Sequence, residues 1–367
     1  MRRLVAAFIV FAATTLPGPH AAAAAPTLGT RVIRAGLSYP WDIAFTPGGK
    51  MLVTERPGRV RVYSDGTRNG RLLGVKTIPK VRAEGEAGVM GIATARRDGT
   101  TYVFVCASRQ VSAGWRNQVL RYRLTKGGAL RDQKVILGGM RANTIHNGCA
   151  VEYGPDKKVW VTMGDANRPA TAQDRSGRNG KVLRVNFGGR IPSDNPFTGS
   201  PVYALGFRNP QGLAFHPVTN RPYSVEHGPS VNDEINRVRP GRNYGWPCWT
   251  GSGTRGPIRA GCKAASEYSR PAWSSGGSTL ATSGGAFVSS AKWQSWRNEL
   301  FVATLKEQDL RRFRIGDNGN TAFARSVLFN GRWGRLRAAT PTRSGRALYL
   351  TTSNGGGTDR VIRVRPR

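Results

Sequence analysis

Apolar and polar residues alternate with a period of two along most of this chain, and the alternation is interrupted by turns rather than by helical spacing. Six segments share one pattern: an apolar start, a Pro, Gly or Asp turn, then a run rich in Val, Leu, Tyr, Trp and Thr. They are "IAFTPGGKMLVTE" from Ile43, "IATARRDGTTYVFVCAS" from Ile92, "VEYGPDKKVWVTMGD" from Val151, "LAFHPVTNRPYSVEHG" from Leu213, "GAFVSSAKWQSWRNELFVATLK" from Gly285 and "ATPTRSGRALYLTTSNG" from Ala339. Each reads as a β-hairpin, because β-branched and aromatic residues suit a pleated, half-buried surface. Further strands fall between them: "RVRVYSD", "QVLRYRLT", "KVLRVNF", "DEINRVR" and "LRRFRIG". In several of these arginine alternates with an apolar residue, so one face can be buried while the other is lined with arginines.

The hairpins start roughly 50 to 70 residues apart, the length of one four-stranded sheet. Six such sheets cover one another when arranged radially around a channel. The pattern therefore predicts an all-β fold, a six-bladed β-propeller of four-stranded antiparallel blades, as one domain over 26–367. A sandwich or solenoid accounts less well for the long repeat. The 47 glycines suit many tight turns.

Residues 1–25 read as a secretory leader: Arg2 and Arg3, the run "LVAAFIVFAATTL", then "AAAAA" before Pro26. No later stretch has the roughly 18 apolar residues of a membrane helix, so the expectation is an exported protein that is not integral to the membrane. Export turns attention to the four cysteines. Three pairings are open, and proximity favours Cys248 with Cys262, leaving Cys106 with Cys149.

The chain carries 56 Lys and Arg against 21 Asp and Glu, a formal charge of +35. Such a surface attracts polyanions. The arginines are scattered from Arg31 to Arg367 and accompany no nucleic-acid-binding signature, which argues against specific nucleic-acid recognition. Electrostatic attachment to anionic envelope polymers is the expectation instead.

In a propeller, loops at one end converge on the axis. His146 lies just before the strand pair of residues 151–164 and Asp165 just after it, so both can reach one mouth. The segments "PWDIAFTPGGKMLVTERPGRVRVY", "GEAGVMGIA", "HNGCAVEYGPDKKVWVTMGD", "ALGFRNPQGLAFHP", "EHGPSVNDEINRVRPGRNYGWP" and "FVATLK" resemble, in order, the soluble quinoprotein sugar dehydrogenases of the glucose/sorbosone dehydrogenase family. The resemblance implies a six-bladed propeller that uses pyrroloquinoline quinone (PQQ) and calcium (Ca2+). Its substrate would be an aldose sugar, oxidised at the anomeric carbon to a lactone, with an external electron acceptor.

The resemblance also implies roles. His146 matches the general base, and imidazole titrates near neutral pH. Asp165 matches the carboxylate that orients it. Arg208 and Asn209 in "GFRNPQG" match residues facing quinone and substrate, with Arg208 stabilising developing charge. Lys306, Arg335 and Arg337 match the basic set for the three cofactor carboxylates, and a spacing of two puts both arginines on one side of a strand. Thr279 matches a further cofactor neighbour. Gly228 and Pro229 in "EHGP" match backbone carbonyl donors to calcium. Glu86 in "GEAGVMG" stands where many relatives have glutamine, and a carboxylate beside a trianion has to be offset by cations. His216 and His227 read as structural.

The rival reading is a non-catalytic propeller that binds anionic polymers or carbohydrate, since fold alone does not give function. A propeller lactonase would need a carboxylate-rich metal centre, and the axial motifs here are mostly basic.

Overall fold

Ile43, Ile92, Val151, Leu213, Gly285 and Ala339, which begin the six repeated segments, all lie on strands that line one axis. The computed structural model describes residues 24–258 and 260–367. The leader expected over 1–25 thus lies, except for Ala24 and Ala25, outside the described residues. Six four-stranded antiparallel sheets stand around the axis. Their innermost strands are Pro40–Phe45, Val89–Arg97, Gly148–Tyr153, Pro210–Phe215, Thr282–Phe287 and Leu336–Pro341, which open blades 1 to 6 in that order. Blades 1, 2, 3 and 5 use four consecutive strands. Blade 4 ends on the short strand Trp273–Ser274, after an insertion over 239–272 that carries its own two-stranded hairpin. Blade 6 takes its outer strand from the other end of the chain: Leu28–Leu37 pairs antiparallel with Asp359–Pro366. That pairing closes the ring, with Leu28–Leu37 as the outer strand of blade 6.

The alternation explains the packing. In Arg59–Tyr63, Val60 and Val62 are buried while Arg59 and Arg61 are turned outward to Glu55. The apolar faces meet between neighbouring blades rather than within one. Phe104 and Cys106 of blade 2 pack on Val151 and Val161 of blade 3, and Phe45 of blade 1 packs on Tyr349 of blade 6. Truncating such a side chain as Phe104, which has no exposed surface, costs about 3–5 kcal/mol.

All six inner strands carry a register shift against their partner near the same end. It falls between Pro40 and Ile43, Val89 and Ile92, Gly148 and Val151, Pro210 and Gly212, Thr282 and Gly285, and Leu336 and Ala339. Bulges bend a strand and re-aim its side chains. Here they sit where the loops turn onto the axis. The inner strands also crowd one another: a Cβ on Gly91 would lie 2.3 Å from the Cys149 carbonyl of the next blade, so only glycine fits.

Cys106 is joined to Cys149 and Cys248 to Cys262. The first bond ties the second strand of blade 2 to the inner strand of blade 3, three residues from His146. Closing a loop of 43 residues stabilises by about 4 kcal/mol in the chain-entropy model. No helix among the described residues is long and apolar enough to cross a membrane.

Candidate active site

Because the strands are antiparallel, the start of each inner strand and the end of the second strand reach the same face. Blade 3 thereby presents His146 and Asp165, and blade 4 presents Arg208 with His227 to Pro229. Blade 5 presents Thr279 and Lys306, blade 6 Arg335 and Arg337, blade 2 Glu86, and blade 1 Arg56.

His146 sits at φ 58°, left-handed backbone that a non-glycine residue adopts only when its surroundings hold it there. Three contacts do so. Its N–H donates to Glu86 Oε2 at 2.8 Å, its carbonyl accepts from Ala166 N at 3.0 Å, and Gly164 leaves room beneath, where a Cβ would lie 2.0 Å from that carbonyl. The side chain is buried except for 11% of its surface. Its Nδ1 lies 2.8 Å from Asp165 Oδ1.

Asp165 is fully buried and acts as an acceptor on both oxygens. Oδ1 also takes the Asn167 N–H at 2.8 Å, and Oδ2 takes the Trp246 indole N–H at 2.8 Å. With every other partner a donor, the carboxylate accepts the Nδ1 proton, which leaves the Nε2 lone pair of His146 free.

Arg208 donates to two successive carbonyls, His227 at 2.9 Å and Gly228 at 2.8 Å. Its guanidinium lies 5.5 Å from the Trp246 ring, and burial lowers its pKa. Its backbone N–H donates to Glu226, a buried carboxyl that burial and the neighbouring Glu234 push well up. Asn209 is committed inside the protein: Oδ1 accepts from Gly148 N at 3.0 Å and Nδ2 donates to Glu86 Oε2 at 3.2 Å. Glu86 therefore reaches His146 and Asn209 together, tying blade 2 to blades 3 and 4.

The basic set divides by depth. Arg337 is buried over Trp41, 3.7 Å from the ring centre, and donates to Gln211 Oε1 at 3.0 Å. Burial pulls its pKa down to about 9, with Glu86 opposing the shift, so it is charged at neutral pH. Arg335, expected on the same side of the strand, is exposed and precedes it. The register shift after Leu336 accounts for the difference. Lys306 is exposed, with Nζ 3.2 Å from the Thr279 carbonyl. The Thr279 hydroxyl is spent on Asp233 at 2.7 Å. None of Lys306, Arg335 and Arg337 forms an ion pair with a described residue. A buried, unpaired cation such as Arg337 is costly, and with the exposed Lys306 and Arg335 on the same face it suits a polyanionic ligand.

Trp41, Gln211 and Arg337 also line one end of an axial channel of about 370 Å³ that runs on between the six inner strands. Asp42 and Glu152 face it. Burial raises Asp42 to about 7, and burial with the Asp42 charge pushes Glu152 well up.

The calcium expectation at Gly228 and Pro229 meets a difficulty. The Gly228 carbonyl already accepts from Arg208 and lies 2.7 Å from His227 Nδ1. His227 also lies 3.6 Å from Asp233, and burial lowers its pKa. His216 packs edge-on against Phe287, 5.0 Å between ring centres.

Sequence reasoning missed Trp246, Gln173, Gln211 and Lys181. Gln173 Nε2 donates to the Trp246 carbonyl at 2.5 Å and fixes the indole. Lys181, fully buried, donates to the carbonyls of Thr171, Ala172 and Asn179 and holds the loop bearing Gln173. Burial lowers its pKa to about 7. The motif "NYGWP" marked Trp246 as part of a conspicuous run, yet nothing near it in the chain names Asp165 as its partner.

The chain is similar to known proteins over much of its length. Aldose sugar dehydrogenase YliI of Escherichia coli is 30% identical over 94% of this chain and 95% of its own length. Quinoprotein glucose dehydrogenase B of Acinetobacter calcoaceticus is 30% identical over 63% of this chain and 55% of its own. The PQQ-bound form of aldose sugar dehydrogenase from Streptomyces coelicolor superposes with a TM-score of 0.76 at 29% identity, covering 94% of this chain and all of that one. The family model for glucose/sorbosone dehydrogenases matches residues 37–363, and the chain belongs to that family.

Proposed function

We propose that this protein is an exported aldose sugar dehydrogenase that uses PQQ and oxidises the C1 hydroxyl of the sugar to the lactone. The observation that carries the reading is the His146–Asp165 pair on the same face as three cations without carboxylate partners.

Lys306, Arg335 and Arg337 would hold the three carboxylates of the cofactor, with Arg337 deepest. The quinone, when bound, supplies the two-electron acceptor. The chain's own part is proton and charge management. Oxidation of the C1 hydroxyl releases a proton from oxygen, and His146 Nε2 takes it. Asp165 accepts the Nδ1 proton throughout, so the imidazolium that forms is stabilised without a change of tautomer. Arg208, fixed by two carbonyls, presents a permanent positive charge toward the site with little reorganisation. Glu86 holds the His146 backbone in place.

Calcium is left out of this reading, although the resemblance implies it. The Gly228 carbonyl already accepts from Arg208 and lies 2.7 Å from His227 Nδ1, so that one of the two expected donors is engaged as it stands. Export rests on the leader pattern and on two disulfides, which persist in oxidising compartments. The excess of Lys and Arg would hold the protein on anionic envelope polymers.

The test is reconstitution of purified apoprotein with PQQ, followed by a panel of aldoses and an artificial electron acceptor. Dye reduction with at least one aldose is expected. Bound quinone with no reduction by any aldose would defeat the proposal.

A further inference from the structure

Blade 1 contributes Arg56 directly after its second strand, as blade 4 contributes His227, and one residue earlier than blades 3 and 5 contribute Asp165 and Lys306 after theirs. The family resemblance gives Arg56 no role. Its guanidinium lies over the Tyr39 ring, 4.0 Å from the centre, and Nη1 donates to the carbonyl of Gly85, the residue before Glu86. The Arg56 carbonyl accepts from Val89 N at 2.9 Å, which anchors the residue to the inner strand of blade 2. Its Nε is buried without a partner. It forms no ion pair with a described residue. It is also near enough to Arg337 that the two charges oppose each other.

With Nε buried and Nη1 engaged at Gly85, Nη2 makes no hydrogen bond with a described residue and is not buried, and a guanidinium edge held in this way matches a carboxylate. Three cations already answer the three carboxylates of the cofactor. Beyond those three and Arg208, Arg56 is a further cation, on blade 1, with Glu86 on blade 2 and His146 on blade 3. We infer that Arg56 binds a carboxylate carried by the substrate, so that the preferred substrates are aldoses with an acidic group, uronic acids, rather than neutral sugars alone. The inference rests on the aldose reading above.

The alternative source of the same chemistry is a cofactor carboxylate, and the experiment separates the two. The ratio of kcat/KM for D-glucuronate to that for D-glucose is measured in the reconstituted wild type, Arg56→Gln, Arg56→Lys and the remote control Arg131→Gln, at fixed ionic strength. PQQ affinity of each apoprotein is measured by equilibrium titration. Wild type and Arg131→Gln should favour glucuronate, Arg56→Gln should lower the ratio at least about tenfold, and Arg56→Lys should fall between, as expected for loss of a charge-assisted hydrogen bond. PQQ affinity should stay within about threefold. An unchanged ratio overturns the inference, and so does a loss of PQQ affinity without a change in ratio. If the wild type oxidises neither sugar, the aldose reading fails, and direct binding of the two sugars to the apoprotein still decides: selective glucuronate binding lost in Arg56→Gln sustains the inference, and equal binding overturns it.

Discussion

The indole N–H of Trp246 donates to Asp165 Oδ2 at 2.8 Å, while Asp165 Oδ1 meets His146 at the same distance. One carboxylate thus connects the imidazole of blade 3 to an insertion in blade 4, 81 positions along the chain. Trp246→Phe keeps the ring beside Arg208 and removes only the donor. We expect kcat to fall roughly tenfold, in line with other groups that hold a ligand or base in place, with PQQ affinity unchanged. Steady-state kinetics with a parallel quinone titration checks this, and an unchanged kcat would show that the indole merely fills space.

Glu86 bears on stability as well as turnover. Glu86→Ala leaves the N–H of His146 without its acceptor in a left-handed turn. An unsatisfied buried donor costs about 1–3 kcal/mol, so Tm should drop by a few degrees in thermal denaturation. A variant as stable as wild type would mean that the φ of His146 is held by other contacts alone.

The axial channel makes a pH prediction. The carboxyl of Glu152 takes part in no hydrogen bond with a described residue, and its folded pKa lies well above the ordinary value. The folded state then binds more protons than the unfolded state between the two values, so stability falls as pH rises through that window. Glu152→Gln removes the penalty. The variant should match wild type near pH 4 and exceed it at pH 8. Urea denaturation at the two pH values measures it, and equal stability at pH 8 would contradict the argument.

Gly228 supplies a metal prediction. Its carbonyl is engaged by Arg208 at 2.8 Å, so calcium added to the apoprotein without quinone should leave Tm unchanged. A calcium-dependent rise of several degrees would show that the ion displaces the guanidinium.

Much of the fold was legible because the strand period is short-range: the six segments chosen for their alternation begin on the inner strands, beside the bulges. His146 and Asp165 were legible as a pair because one hairpin brings its two ends to the same face. The closure of blade 6 by Leu28–Leu37 was not, since no local pattern names a partner more than 300 residues away. Trp246 and Arg56 were hidden for the same reason: a tryptophan in an insertion and an arginine among many acquire meaning only from what folds against them. The split between exposed Arg335 and buried Arg337 needed the bulge, which spacing alone does not reveal.

The central claim is that His146 serves as the proton acceptor beside a cationic cofactor pocket. Its most direct test is a single-turnover measurement in which PQQ-loaded protein is mixed anaerobically with an aldose and the quinone absorbance is followed. Wild type should bind one equivalent of quinone and bleach it on mixing, whereas His146→Ala should bind the same equivalent and bleach at least a hundredfold more slowly. Equal bleaching rates in the two proteins would contradict the account.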